Sequence, residues 1–289
     1  IQYNTKYKRL KRRQTKLEGE EKDGEDAVGN DDKLDGEKNE MDDNGMNDDQ
    51  NNNNNDVLKH CLGDVLQSED EIKKWGLSEW SKDEEEKKGN EAFEWIRVDA
   101  DFEWICRIYI NQPGYMFLSQ LQQDRDVEAQ LESVRYFAES PNPTPVYSTI
   151  LLRTLMDSRY YYGIRVESAK ALALYAKKEL SFTGMKLLIK AFQTLFCFDV
   201  HSNIPLPNDF SDFASYFLQK SFPLILSTIK DEHGACPPIV KTFLLDLLRY
   251  NENGQNDFMD CFYVAELIES LITTIVEGET LSVHDNTEA

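Results

Sequence analysis

Residues 93–137 read FEWIRVDADFEWICRIYINQPGYMFLSQLQQDRDVEAQLESVRYF, and this stretch decides the architecture. Phe93-Glu94-Trp95-Ile96 recurs nine residues on as Phe102-Glu103-Trp104-Ile105. Val98-Asp99-Ala100-Asp101 between the copies has the short polar chemistry of a turn. The second copy runs on through Cys106-Arg107-Ile108-Tyr109-Ile110, placing Trp104, Cys106, Ile108 and Ile110 on one face at the strand period of two. The reading is a short β hairpin over 92–112. Two strands cannot bury two tryptophans unaided, so the hairpin is expected to be the last piece of a sheet lying upstream. The chain, which opens on Ile1, is expected to be an excerpt.

Helical periodicity takes over after Gln112. A helix is predicted over 115–138, with Leu118, Leu121, Leu131, Val134 and Ala138 on one face, ended by Pro141, Pro143 and Pro145. A short helix follows over 146–157. The next, over 161–178, carries a small-residue face of Val166, Ala169, Ala173 and Ala176 and a second apolar face of Ile164, Leu172 and Tyr175. A helix apolar on two sides lies between layers. Another helix follows Gly184, and then a Pro/Asn loop over 199–210. Ser211 or Asp212 caps a helix that Pro223 is expected to kink or split. Pro237 and Pro238 suit the first turn of the next helix, which Asn251-Glu252-Asn253-Gly254 stops. The last helix, 258–276, is expected to bury Cys261, Ala265, Ile268, Leu271 and Ile275. The fold class is therefore mainly α: an α-α superhelix of HEAT-like pairs over 113–277, followed by a polar tail over 278–289.

Ahead of the hairpin the composition changes sharply. Residues 1–17 carry a charge of +7 and residues 18–56 carry −13, so the rest of the chain holds −15 of the total −21. The 18–56 segment has almost no large apolar side chains and reads as a disordered, acidic, Asn-rich insertion. Residues 57–91 read as a short amphipathic helix and a charged linker. An acidic helical domain repels phosphate, which disfavours wrapping nucleic acid. The basic arm is the exception. Lys6, Lys8, Arg9, Lys11, Arg12, Arg13 and Lys16 fit a nuclear localisation element or a phosphate-contacting strand.

The chemistry of an enzyme is not visible. The four histidines have no helical partner for a zinc motif, and no glycine-rich phosphate loop or nucleophile elbow occurs. Cys197, His201, His233 and Cys236 have donor chemistry for zinc, but without a CxxC pair they read as buried cysteines beside loop histidines. Arg125, in Asp124-Arg125-Asp126, and Arg165, beside the alanine face, read as structural ion-pair arginines clamping neighbouring elements. Ser68-Glu69-Asp70-Glu71 has the look of an acidophilic kinase site. No cofactor, small-molecule substrate or membrane contact is expected, since no apolar run approaches the roughly 18 residues a span requires.

The opening stretch resembles the TBP-associated factor 2 family, the aminopeptidase-like subunit of the general transcription factor TFIID. So do YYGIRVESAKALALYAKK (161–178), the stretch DFASYFLQKS to FYVAELIESL (212–271) and the basic run. The resemblance implies upstream domains similar to M1 zinc aminopeptidases, with activity lost, and a hairpin that closes a β-sandwich before a HEAT-like domain. It implies core-promoter recognition near the start site together with TBP-associated factor 1, docking through TBP-associated factor 8, and residence in the nucleus. The acidic insertion matches nothing in the family and resembles a fungal elaboration. Two rival readings are the C-terminal part of an active M1-type aminopeptidase and a HEAT-type adaptor with no DNA role.

Overall fold

The computed structural model describes residues 61–81, 94–101, 103–141 and 143–285, the side chains of 276–285 excepted. Nine α-helices occur among them. They are α1 (Glu69–Trp75), α2 (Gly114–Gln123), α3 (Val127–Glu139), α4 (Pro145–Met156), α5 (Tyr162–Leu174), α6 (Thr183–Phe196), α7 (Phe213–Ser227), α8 (Pro238–Arg249) and α9 (Cys261–Asp285). From α2 onward each helix packs on the next, α3, α5, α7 and α9 also lie side by side in one row, and α4 meets α6 in the other. This is an α-α superhelix.

Helix α5 holds the stack together, touching α3, α4, α6 and α7. Its buried residues include Ile164, Ser168, Ala169, Ala171 and Leu172, so small side chains let the neighbours close in. The approach is tightest at Gly184 in α6, where an added Cβ would sit 2.0 Å from the Leu172 carbonyl oxygen. Tyr175, just past α5, donates its hydroxyl to the Phe137 carbonyl at 2.6 Å, and burial pushes its pKa up to about 12.

Three expectations are corrected. The helix predicted over 115–138 is two helices, because Asp124-Arg125-Asp126 breaks it. Asp124 ends α2 with extended backbone, and Asp126 caps α3 by accepting from the Glu128 N–H at 3.1 Å. An Asp that bonds its own backbone competes with the helix ladder. The second correction is at Pro223: of the kink or split expected there, the split does not occur, and α7 runs through as one helix. The third is the face of α9: Tyr263, Leu267, Ser270, Leu271 and Thr274 point inward, whereas Cys261, Ala265, Ile268 and Ile275 are exposed. Both faces of α9 carry apolar groups, and only one has a neighbour among the described residues.

Residues 61–80 form a strap bonded to the helices. The Leu62 N–H donates to the Gln122 carbonyl at 3.1 Å, the Gly63 N–H to the Asp157 carboxylate at 2.7 Å and the Ser78 N–H to Thr149 Oγ1 at 3.0 Å. Arg153 reaches back to the Leu66 carbonyl at 3.0 Å and to Glu79 at 2.6 Å. Ser68 and Glu71 form a reciprocal capping box on α1. The Ser-x-x-Glu spacing that resembles a kinase site is thus a helix start. Trp75 is buried on the core with the Lys190 ammonium 4.5 Å above its ring.

Ahead of α2 the turn predicted between the repeated tetrapeptides exists. The Asp99 carboxylate accepts from the Glu103 and Trp104 N–H groups, both at 2.9 Å. Strand pairing does not occur among the described residues of this stretch. Trp104 and Tyr109 stand 62% and 85% exposed. Two strands alone gain too little burial to hold a ladder.

Candidate docking edge

The starts of alternate helices are aromatic: Tyr161-Tyr162 at α5, Phe213 and Phe217 in α7, Phe258 and Phe262 at α9. Row packing brings these starts together. Tyr161 and Tyr162 lie 4.6 Å apart by ring centroid, and Tyr162 stacks on Phe217 at 5.6 Å. Phe217 meets Phe213 at 6.1 Å and Tyr216 at 5.6 Å. Phe210 then joins Tyr216 at 5.0 Å and Phe258 at 5.9 Å. The result is one continuous ladder of rings across three helix starts. Tyr216 is buried, while Phe213, Phe258 and Met259 are 59%, 67% and 84% exposed. Isolated exposed apolar groups are ordinary, but a contiguous run marks an interaction surface.

The loops that carry this ladder are stitched by amides. The Asn208 N–H donates to Asn253 Oδ1 at 2.7 Å, and Asn256 Nδ2 donates to the Asn208 carbonyl at 2.9 Å. Asn251 and Asn253 each donate to Asp260, at 2.6 and 2.9 Å. Asp209 accepts from the Ser211 hydroxyl at 2.6 Å and its N–H at 2.8 Å, and these bonds hold its carboxyl below the usual range. Asp212 caps α7 by accepting from the Ala214 and Ser215 N–H groups at 3.0 and 3.2 Å, and bonding to Ser215 lowers its pKa likewise. Both are ionised at neutral pH.

At the α5 end the ladder meets a surface pocket of about 380 Å³, lined in part by Gln122, Arg125, Val127, Gln130, Arg159 and Tyr161. Arg159 is held by Asp157, with Nη2 to Oδ2 at 2.7 Å. Burial alone would raise the Asp157 carboxyl; the Arg159 hydrogen bonds and the Gly63 N–H outweigh it and hold the group below its ordinary value.

The two arginines expected to form structural ion pairs behave otherwise. Arg125 is exposed at the pocket and makes no ion pair among the described residues. The clamp between its flanking aspartates is Arg97, which reaches Asp124 at 3.4 Å and Asp126 at 2.7 Å. Burial would raise the Asp126 carboxyl, but the Arg97 bond and the Glu128 N–H bring it down. Arg165 is buried as expected, yet its Nε donates to the Leu155 carbonyl at 2.8 Å instead of to a carboxylate. Burial lowers its pKa, opposed by the charges of Asp157 and Asp212. The basic residues Lys6 to Lys16 lie outside the described residues.

Among the described residues no group of three or more metal-binding side chains occurs. Burial pushes the Cys197 thiol up to about 12, which keeps it protonated, and His201 and His233 are exposed. No described helix is long and apolar enough to cross a membrane. What the edge offers is recognition by aromatic, carboxylate and guanidinium groups.

The fold defines a helical-repeat protein with an exposed aromatic edge along its helix starts. A family model described as "TAF2-like, TPR repeats" matches residues 114–289, and the chain belongs to that family. The description names TPR where the sequence reading expects HEAT-like pairs; both are two-helix repeats, and the α-α superhelix is common to them. The chain is 45% identical over 283 residues to "Transcription initiation factor TFIID subunit 2" of Schizosaccharomyces pombe, covering 97% of this chain and 22% of that protein. The protein of the same name from Saccharomyces cerevisiae is 43% identical over 281 residues, covering 94% and 18%. The chicken protein is 36% identical over 189 residues, covering 65% and 16%. The chain thus spans about a fifth of the length of the fungal relatives it matches.

Proposed function

We propose that this chain is a non-enzymatic scaffold piece of TFIID that acts in the nucleus in RNA polymerase II transcription initiation. The observation that carries the reading is the likeness, across nearly all of the chain, to two proteins named TFIID subunit 2. An exposed aromatic edge on an α-α superhelix supports a docking role, since such repeats present extended surfaces to partners. Other TFIID subunits, TBP-associated factors 1 and 8 among them, are the proposed partners. Contribution to core-promoter recognition is assigned to the basic run, with Lys8, Arg9, Lys11, Arg12 and Arg13 contacting phosphate in a sequence-tolerant, salt-sensitive way. The exposed Trp104 and Tyr109 are proposed to be covered by a β-sandwich in the longer protein.

The test is affinity capture from nuclear extract with the 289-residue chain as bait, the bound proteins being identified by mass spectrometry. Recovery of TFIID subunits is expected. Recovery of transport or coat proteins without any transcription factor overturns the reading.

A further inference from the structure

The aromatic edge differs from one end to the other. At the α5 end it meets Arg125 and Arg159. At the α7 and α9 end it meets mainly carboxylates, with Lys220 of α7 paired to Glu266 of α9 at 3.5 Å. Residues 200–219 and 250–276 together hold seven acidic residues and no lysine or arginine. Four of the seven, Asp209, Asp212, Asp257 and Asp260, lie in the stitched loops and the start of α7, beside Phe210, Phe213, Phe258 and Met259. The starts of α7 and α9 oppose this charge only weakly. Each contributes roughly +0.5 of an elementary charge, so about +1 stands against four carboxylates.

We propose that this acidic aromatic patch receives a lysine- or arginine-rich segment of a partner protein in which cations alternate with apolar side chains. Charge complementarity selects that occupant. A nucleic acid or an acidic peptide would bring like charge onto Asp209, Asp212 and Asp257. A second copy of the chain docked through the same patch would oppose carboxylate to carboxylate, since such contacts are isologous. A cationic segment instead gains the carboxylates, and its guanidinium or ammonium groups gain the exposed ring faces, worth about 0.5–2 kcal/mol each. Apolar side chains between the cations cover Phe213, Phe258 and Met259, each more than half exposed. The inference rests on the scaffold reading and names the chemistry of one partner of that edge.

The test is fluorescence anisotropy of a labelled peptide alternating arginine with leucine, titrated with the full chain. Residues 18–56 also attract cations, so the comparison is between chains that differ only in the patch. Phe213→Ser with Phe258→Ser is expected to weaken binding about tenfold, two ring contacts of about 0.7 kcal/mol making the 1.4 kcal/mol of a tenfold change. Asp209→Asn with Asp257→Asn removes two carboxylates without touching the core and is expected to weaken binding and flatten its salt dependence. Replacing leucine with serine in the peptide weakens binding, and replacing arginine with glutamate abolishes it. Equal affinity for both chain variants and the parent overturns the proposal, as does equal affinity for the leucine and serine peptides. Dimerisation of the parent chain that the Phe213 and Phe258 changes abolish overturns it in favour of a second copy. Loss of TFIID capture with peptide binding intact would refute the scaffold reading; intact capture with no peptide binding refutes the patch.

Discussion

Helices α5 and α9 look alike as sequence and differ in what surrounds them. Each carries apolar residues on two faces. α5 has helices on both, whereas α9 packs on α7 and α8 with one face and leaves Phe262, Ile268, Ile272 and Ile275 exposed on the other. A two-row stack asks every internal helix to be apolar twice over, and the chain satisfies that demand at α9 as well. Periodicity therefore reports that a helix has two sticky sides, and it does not report which side is occupied.

Substitutions can break this comparison. The largest effect is expected at Leu172, fully buried in α5, where Leu172→Ala should cost about 2–5 kcal/mol in a urea denaturation midpoint. Gly184→Ala comes next, at about 1–3 kcal/mol, because its Cβ meets the Leu172 backbone oxygen and no side chain can yield. Ser68→Ala, which removes the capping box of α1, should cost about 1 kcal/mol. The smallest effect belongs to α9, where Ile272→Ser should stay within about 0.5 kcal/mol. A cost at Ile272 comparable to that at Leu172 would mean that the outer face of α9 is covered in solution and would erase the contrast.

Acid sharpens the comparison from another side. Asp157 and Asp126 have lowered pKa values in the folded chain, so each contributes stability that is fully present above the ordinary carboxylate value of about 3.9. That contribution is lost as pH falls through the lowered folded value. Both clamps lie at the front of the molecule, Asp157 under the strap and Asp126 against Arg97. Acidification below about pH 4 should shift the emission of Trp75 and Trp80 on the strap before helical ellipticity is lost. Asp157→Asn should flatten that profile; emission that changes only with global unfolding would refute it.

How much of this was legible varies by residue. The sandwiched character of α5 showed in Ala169, Leu172 and Tyr175, since small and large apolar side chains on two faces have few other uses. A cap at Ser211 or Asp212 and a first turn at Pro237-Pro238 were readable because each acts on its own backbone, and the structure selects Asp212 as cap and starts the helix at Pro238. The break between α2 and α3 was hidden, since the apolar residues of both helices continue one pattern across Asp124–Asp126. Arg97 was hidden for the opposite reason: it sat in a hairpin reading, between a repeat copy and its turn, and its partners are 27 and 29 residues away. The aromatic ladder joins residues from Tyr161 to Phe258, a distance no local pattern spans. Its one sequence signal was the recurrence of aromatics at the starts of alternate helices.

The strap has a consequence for how this family can diverge. Two of its key bonds are made by the backbone N–H groups of Gly63 and Ser78, and a third ends on the carbonyl of Leu66. The matching side chains, Asp157, Thr149 and Arg153, all lie on α4 or at its end. The polar part of the route is therefore encoded by the track, and the traveller adds the apolar contacts of Leu62, Leu66, Trp75, Leu77 and Trp80. Mutational drift can rewrite much of residues 64–78 while the same path over α4 is kept, sparing Gly63 and Gly76 with φ of 75° and 64°, the Ser68–Glu71 capping box and the buried Trp75. Substitutions at Asp157, Thr149 or Arg153 would instead reroute every version of that segment at once.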